Sequence, residues 1–169
     1  MRNITSIVIT FFVVFAMVSC ASNTADDAIA KSAESIAADK TEFYSVLQKH
    51  LDAVSNKNLD SLASTLSPEG KMQLILEGSE VLHTVDSFLL NQKAFFEYGD
   101  WTFETRIVNT DIGQRLGLAT VEIIYREAER NGEPYFNRMT ISYALEKVDG
   151  SWYVIKDHAS SVEKSTDKK

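Results

Sequence analysis

Asp157 and His158 stand side by side in Lys156-Asp157-His158-Ala159-Ser160, and a carboxylate next to an imidazole is raw material for general acid–base catalysis. Adjacent residues of a strand leave from opposite faces, so only one of the two can reach a given pocket. His158 shares strand parity with Trp152 and Val154, which places it inward and puts Asp157 on the rim or the other face. The plain alternative is a structural histidine near a strand end. His50, His83 and His158 show no ligand spacing and the chain holds a single cysteine, so neither a metal nor a cofactor is expected.

Tyr44, Trp101, Tyr125 and Tyr143, with Phe88 and Phe103, could wall a pocket and supply hydroxyls, although aromatic residues at these spacings equally make plain core. Glu104, Glu122 and Glu146 fall on the opposite strand parity from Phe103, Ile123 and Leu145. With Arg106, Arg126 and Arg138 they read as cross-strand charge pairs on the wet side of a sheet. Arg138 becomes an anion-binding candidate if that side is concave. There is no glycine-rich phosphate loop and no G-x-S-x-G elbow. The net charge of -7, with no cluster of Lys and Arg, argues against nucleic acid as the partner.

These residues need elements to hold them, and the clearest is a hairpin from Tyr135 to Ser160. Its strands fold about Asp149-Gly150, a pair suited to a type I′ turn because both central residues need positive φ. Met139, Ile141, Tyr143 and Leu145 share one face of its first strand. Four strands are expected in all, over Trp101–Asn109, Gln114–Glu127, Tyr135–Val148 and Ser151–His158, with Asn131-Gly132 as a second tight turn. Before them, Phe43, Val46, Leu47, Leu51 and Val54 make the stripe of a helix over Thr41–Ser55. Asn58 is placed to cap a short second helix, which Ser67-Pro68 stops. A short hairpin with Met72, Leu74 and Leu76 on one arm follows, and Thr84 caps a third helix carrying Val85, Phe88, Leu89, Gln92 and Phe96. The charged tail 163–169 reads as disordered.

At the other end, Arg2 precedes an apolar run from Ile4 to Val18 that closes on Met17-Val18-Ser19-Cys20. That pattern describes a signal peptide over 1–19, too short for the roughly 20 residues of a permanent span. The closing residues resemble a bacterial lipobox, with Met17 where Leu is usual. The resemblance implies cleavage before Cys20 and its lipidation, which would hold the protein to the membrane. Ala21-Ser22, with no Asp beside the cysteine, implies the outer membrane, periplasmic side, rather than the inner one. Residues 20–40 are rich in Ala, Ser and Asp and read as a tether, part of which could be a helical stalk.

Two helices, a short hairpin, a helix and four long strands make an α+β order. Three stretches carry a family resemblance: Ala53-Val54-Ser55-Asn56-Lys57-Asn58-Leu59-Asp60-Ser61-Leu62, Asp149-Gly150-Ser151-Trp152, and Lys156-Asp157-His158-Ala159-Ser160. The chain from 41 to 162 resembles the nuclear transport factor 2-like (NTF2-like) superfamily and, within it, SnoaL-like domains. The resemblance implies a cone-like curved antiparallel sheet with three helices packed on one face and a pocket between the two. It also marks Arg138, since related domains often carry an Arg early in this strand. The members include ketosteroid isomerase-like enzymes, polyketide cyclases and assembly modules that dimerise through the sheet. The expectation here is noncatalytic binding of a small apolar or mixed-polarity ligand, or of a protein partner. The candidate ligand contacts are His158, Tyr44, Trp101, Tyr125, Tyr143 and Arg138. An isomerase-like or cyclase-like enzyme and a homodimeric assembly module are the alternatives.

Overall fold

Alanine carries the first helix beyond its apolar stripe. In the computed structural model, which describes the backbone of residues 21–167 and the side chains of residues 29–167, α1 runs over Ala21–Ser55. The segment read as a tether is therefore helical from Ala21, as the high helix propensity of alanine allows. The expected signal peptide and Cys20 lie outside the described residues. The chain divides into two compact units, Met1–Ala37 and Ala38–Lys169. In the first, the described part is helix alone, with Ile29 and Ile36 exposed.

In the second unit the local signals act as their chemistry requires. Asn58 caps α2 (Leu59–Ala63), its side chain accepting the Ser61 N–H at 2.9 Å. β1 (Lys71–Ile75) and β2 (Leu82–Thr84) form the short hairpin. Thr84 and Ser87 then make a reciprocal capping box at the start of α3 (Val85–Glu97). The long strands follow as β3 (Trp101–Ile112), β4 (Leu116–Arg130), β5 (Glu133–Val148) and β6 (Ser151–Lys164). Asp149 and Gly150 have φ of 49° and 89°, and Asn131 and Gly132 have 57° and 90°, the positive pairs of type I′ turns.

The strands form one curved sheet in the order β2-β1-β6-β5-β4-β3. It is mixed rather than antiparallel throughout, since β1 runs parallel to β6, with Leu74 beside Asp157. The approach is set just upstream, where Leu66 bridges Val154 and the Val154 N–H donates to Thr65 O at 2.9 Å. Hydrophobic period gives a strand its face but no direction, so this pairing was not legible in the sequence.

Helix α1 lays Phe43, Leu47, Leu51 and Val54 on one face of the sheet, where they are buried with Ile123, Tyr143, Leu145 and Trp152. Phe43 meets the Trp152 ring edge-on, with centroids 5.3 Å apart. Gly117 of β4 makes room for it, because a Cβ there would stand 2.5 Å from Phe43 Cε2.

Strand β6 departs from simple alternation twice. Leu145 pairs with Val154 while Ala144 pairs with Lys156, which leaves Ile155 as an extra residue. Inward parity passes from Trp152 and Val154 to Asp157, Ala159 and Ser161. A second shift, between the Met139–Ser161 and Arg138–Glu163 pairs, turns Lys164 toward the inner side. The expected disorder of the tail also fails at its start. Lys164 is still strand, its side chain bonds Glu77, and the Ser165 N–H donates to Phe136 O.

Candidate functional site

Between α3 and the concave face of the sheet lies a cavity of about 540 Å³. β5 contributes alternate residues, Tyr135, Asn137, Met139, Ile141 and Tyr143, as the pleat requires. Past its first bulge, β6 contributes Asp157, Ala159 and Ser161. Gln92 and Phe95 face in from α3, Leu74 from β1, and Phe103 and Tyr125 from β3 and β4. Tyr98, which is 58% exposed, and Glu77 belong to the part of the lining that meets solvent.

Asp157 is the group that gives the cavity a chemistry. It is only 7% exposed, and its Oδ1 has no hydrogen-bond partner among the described residues. Burial pushes its carboxyl up from 3.8 to about 7, because an apolar setting disfavours the charged form. Tyr143 is its cross-strand neighbour, and burial first and the Asp157 charge second hold that phenol well above its ordinary value. Behind Tyr143 lies His50, fully buried and outside the lining, with its ring edge-on to the tyrosine at 5.5 Å. Its Nδ1 pairs with Thr65 Oγ1 at 2.8 Å, and burial lowers its pKa from 6.5 to about 3, so it is neutral.

A second cluster involves β4. Tyr125 donates to Glu127 Oε1 at 2.5 Å, Arg130 closes an ion pair on the same carboxylate, and the guanidinium lies 3.5 Å over the Tyr135 ring. The Arg130 bond holds the Glu127 carboxyl below its usual range, with the Tyr125 bond adding to this. Burial, then the bond to Glu127, holds the Tyr125 phenol high. Lys164 bonds Glu77 at 2.9 Å, so both cations of the lining have carboxylate partners.

The candidates read from the sequence separate here. Tyr125 and Tyr143 line the cavity. Trp101 is buried outside the lining, stacked on Phe95 at 4.4 Å with its indole N–H donating to Phe95 O. It supports a cavity wall from behind. Tyr44 is 43% exposed and bonded to Thr110 Oγ1 at 2.6 Å, away from the lining. Arg138 faces outward and pairs with Glu163 at 3.2 Å, so it is no cavity cation. The outer face also carries the Arg106–Glu122 and Arg126–Glu104 pairs expected from parity.

The assignment of His158 is reversed. His158 is exposed and Asp157 is in the cavity, because the extra residue at Ile155 exchanges the faces downstream of Val154. Parity counted from Trp152 could not register that slip. Glu127 and Arg130 were also missed, although Glu-x-x-Arg at the end of a strand offers a short-range ion pair that could have drawn attention to them. Among the described residues no group of His, Cys, Asp or Glu is arranged to hold a metal ion. No helix among them is long and apolar enough to cross a membrane.

Comparison with known proteins bears on the fold. A family model described as the SnoaL-like domain matches residues 44–163. A putative dehydratase of the NTF2-like family from Streptomyces avermitilis is similar with a TM-score of 0.64 at 14% identity, covering 75% of this chain and 98% of that one. A hexachlorocyclohexane dehydrochlorinase, LinA-type3, from Novosphingobium barchaimii superposes with a TM-score of 0.66 at 12% identity, covering 78% and 91%. A putative calcium/calmodulin-dependent protein kinase type II association domain from Thiobacillus denitrificans gives 0.60 at 12%, covering 70% and 93%. At such identities the likeness is one of fold. No curated protein matches the sequence.

Proposed function

Because the chain belongs to the SnoaL-like domain family, we propose that it binds a small, mainly apolar molecule in the cavity without transforming it, as a cell-envelope protein held to the membrane by lipidated Cys20. The observation that carries the binding reading is the cavity itself, a hollow of about 540 Å³ lined by apolar and polar side chains with a buried carboxylate among them. That volume suits a drug-sized ligand, and few polar groups set in apolar walls are what fix orientation in such sites. The anchoring half rests on the residues from Arg2 to Cys20.

Binding is preferred to turnover because nothing orients Asp157 as a base must be oriented. Its Oδ1 lacks a partner, whereas a carboxylate that abstracts a proton has to be held in productive geometry by hydrogen bonds around it. A second reading, a proton-transfer enzyme with Asp157 as base and Tyr143 as hydrogen-bond donor, is favoured by one fact. The Asp157 carboxyl titrates near neutrality, where a general base is most useful.

The two readings part in one experiment. Native mass spectrometry of the full chain, extracted from membranes in mild detergent, should show a retained small molecule with unchanged mass after prolonged incubation. Conversion of a bound molecule, slowed by about 10²–10⁴ in Asp157→Asn, would replace binding with catalysis. For the anchor, Cys20→Ser should abolish fatty-acid labelling, and a variant still labelled would refute lipidation at that residue.

A further inference from the structure

The buried side-chain atoms of the cavity lining that lack a partner are all acceptors. Asp157 Oδ1, Gln92 Oε1 and Asn137 Oδ1 are buried without a partner among the described residues, and all three residues line the cavity. Each of these atoms is an acceptor. Asn137 has already committed its amide N–H, which donates to Ser161 Oγ at 3.1 Å, so its carbonyl oxygen is the end left over. The two other unpartnered buried side-chain atoms, His50 Nε2 and Trp152 Nε1, belong to residues outside the lining.

Charge points the same way. Lys164 is held by Glu77 and Arg130 by Glu127, so neither lining cation is free to serve Asp157. Asp157 is thus the lining carboxylate, among the described residues, that has no cationic partner. Leu74 and Tyr143 are its neighbours on the adjoining strands, and Phe95 and Phe103 line the same cavity.

Resting on the binding reading above, we infer that the ligand is an organic cation, an alkylammonium on an aromatic or aliphatic body, with its nitrogen against Asp157 and its body along the apolar wall. A buried carboxylate without a partner is unfavourable, and an ammonium supplies both the opposite charge and the missing donors. Aromatic faces add attraction for a cation that no neutral or anionic ligand would receive. A neutral hydroxyl offers one donor and no charge. An anion would meet Asp157 with like charge. The acceptors are spread along the cavity, since Asn137 lies six residues from Tyr143 on β5, roughly 20 Å at strand rise. A ligand long enough to reach from Asp157 toward Asn137 would gain from a second donor at its far end.

The test uses a matched pair, tryptamine and its alcohol analogue tryptophol, which share the indole body and differ in the charged end. The full chain is reconstituted in phosphatidylcholine nanodiscs, whose zwitterionic surface does not recruit cations by net charge. Binding is measured by calorimetry near pH 8, above the Asp157 value of about 7. Subtracting a titration into protein-free nanodiscs removes partitioning into lipid. Asn is nearly isosteric with Asp, so the Asp157→Asn variant keeps the cavity shape while losing the charge. The wild type should prefer tryptamine by about tenfold or more, the scale of a charge-assisted bond, and Asp157→Asn should bring the pair within about threefold.

Equal binding of the pair in both proteins, abolished by the cavity-filling variant Ala159→Phe, would overturn the cation while leaving the cavity as a binding site. If neither compound binds the wild type, the cation and the binding reading both fall. Circular dichroism on each variant shows that the fold is retained, and Gln92→Leu gives an independent handle on the same lining. It should lower tryptamine affinity a few-fold, and an unchanged affinity in both Gln92→Leu and Asp157→Asn would overturn the proposal.

Discussion

Stability between pH 5 and 6 should be nearly flat in this protein because two buried groups oppose each other, and removing either one should expose the slope of the other. His50 is neutral when folded, its pKa lowered by burial from 6.5 to about 3. The unfolded chain therefore binds a proton there that the folded chain does not, and stability rises with pH, being lost as pH falls from about 6.5 toward 3. Asp157 is the reverse case, with its pKa raised by burial from 3.8 to about 7. The folded chain holds a proton that the unfolded one has released, so this contribution is complete below about 3.8 and is lost as pH rises toward 7. One proton of difference is worth about 1.4 kcal/mol per pH unit. Allowing for partial titration, each slope is about 1.2 kcal/mol between pH 5 and 6, with opposite signs.

The assay is urea denaturation of the Ala38–Lys169 unit, which carries its own core, followed by circular dichroism at several pH values. Wild type should change by less than about 0.5 kcal/mol across the unit of pH. Asp157→Asn should gain about 1.2 kcal/mol from pH 5 to 6, and His50→Gln should lose about as much. Slopes are the right readout, because any constant packing cost of the substitution cancels from them. An Asp157→Asn profile as flat as the wild type would refute the burial-raised Asp157 carboxyl on which the proton-transfer reading rests.

Other perturbations test the frame around the cavity. Gly117→Ala should cost about 1–3 kcal/mol, since the new methyl meets the buried Phe43 ring, and an unchanged denaturation midpoint would show that the ring yields freely. Gly150→Val should cost a similar 1–3 kcal/mol through backbone strain alone, because φ is 89° there and nothing lies within reach of the added Cβ. Arg138→Ala should alter stability by no more than about 1 kcal/mol, as an exposed pair with Glu163 predicts, and leave cavity binding unchanged. Lost ligand affinity in that variant would return Arg138 to the site.

Much of this fold was legible because its signals are local. Asn58 and Thr84 cap helices with their own side chains, and Asp149-Gly150 and Asn131-Gly132 turn hairpins through positive φ, so a few neighbouring residues suffice to read each of them. The inward face of β5 followed from simple alternation, which placed Tyr143 correctly, and the same rule put the Arg106–Glu122 pair on the outer face. Alternation failed on β6, where the decisive residue lies. Whether a strand takes up an extra residue depends on its neighbour, and Ile155 is extra only because Leu145 pairs with Val154 and Ala144 with Lys156. The parallel seat of β1 against β6 is likewise a contact between distant segments, with no trace in either segment's period. Sequence thus determined which strands and helices form, through propensity, caps and turns. Tertiary pairing decided that Asp157 rather than His158 enters the cavity, because a single unmatched residue reverses every side chain beyond it.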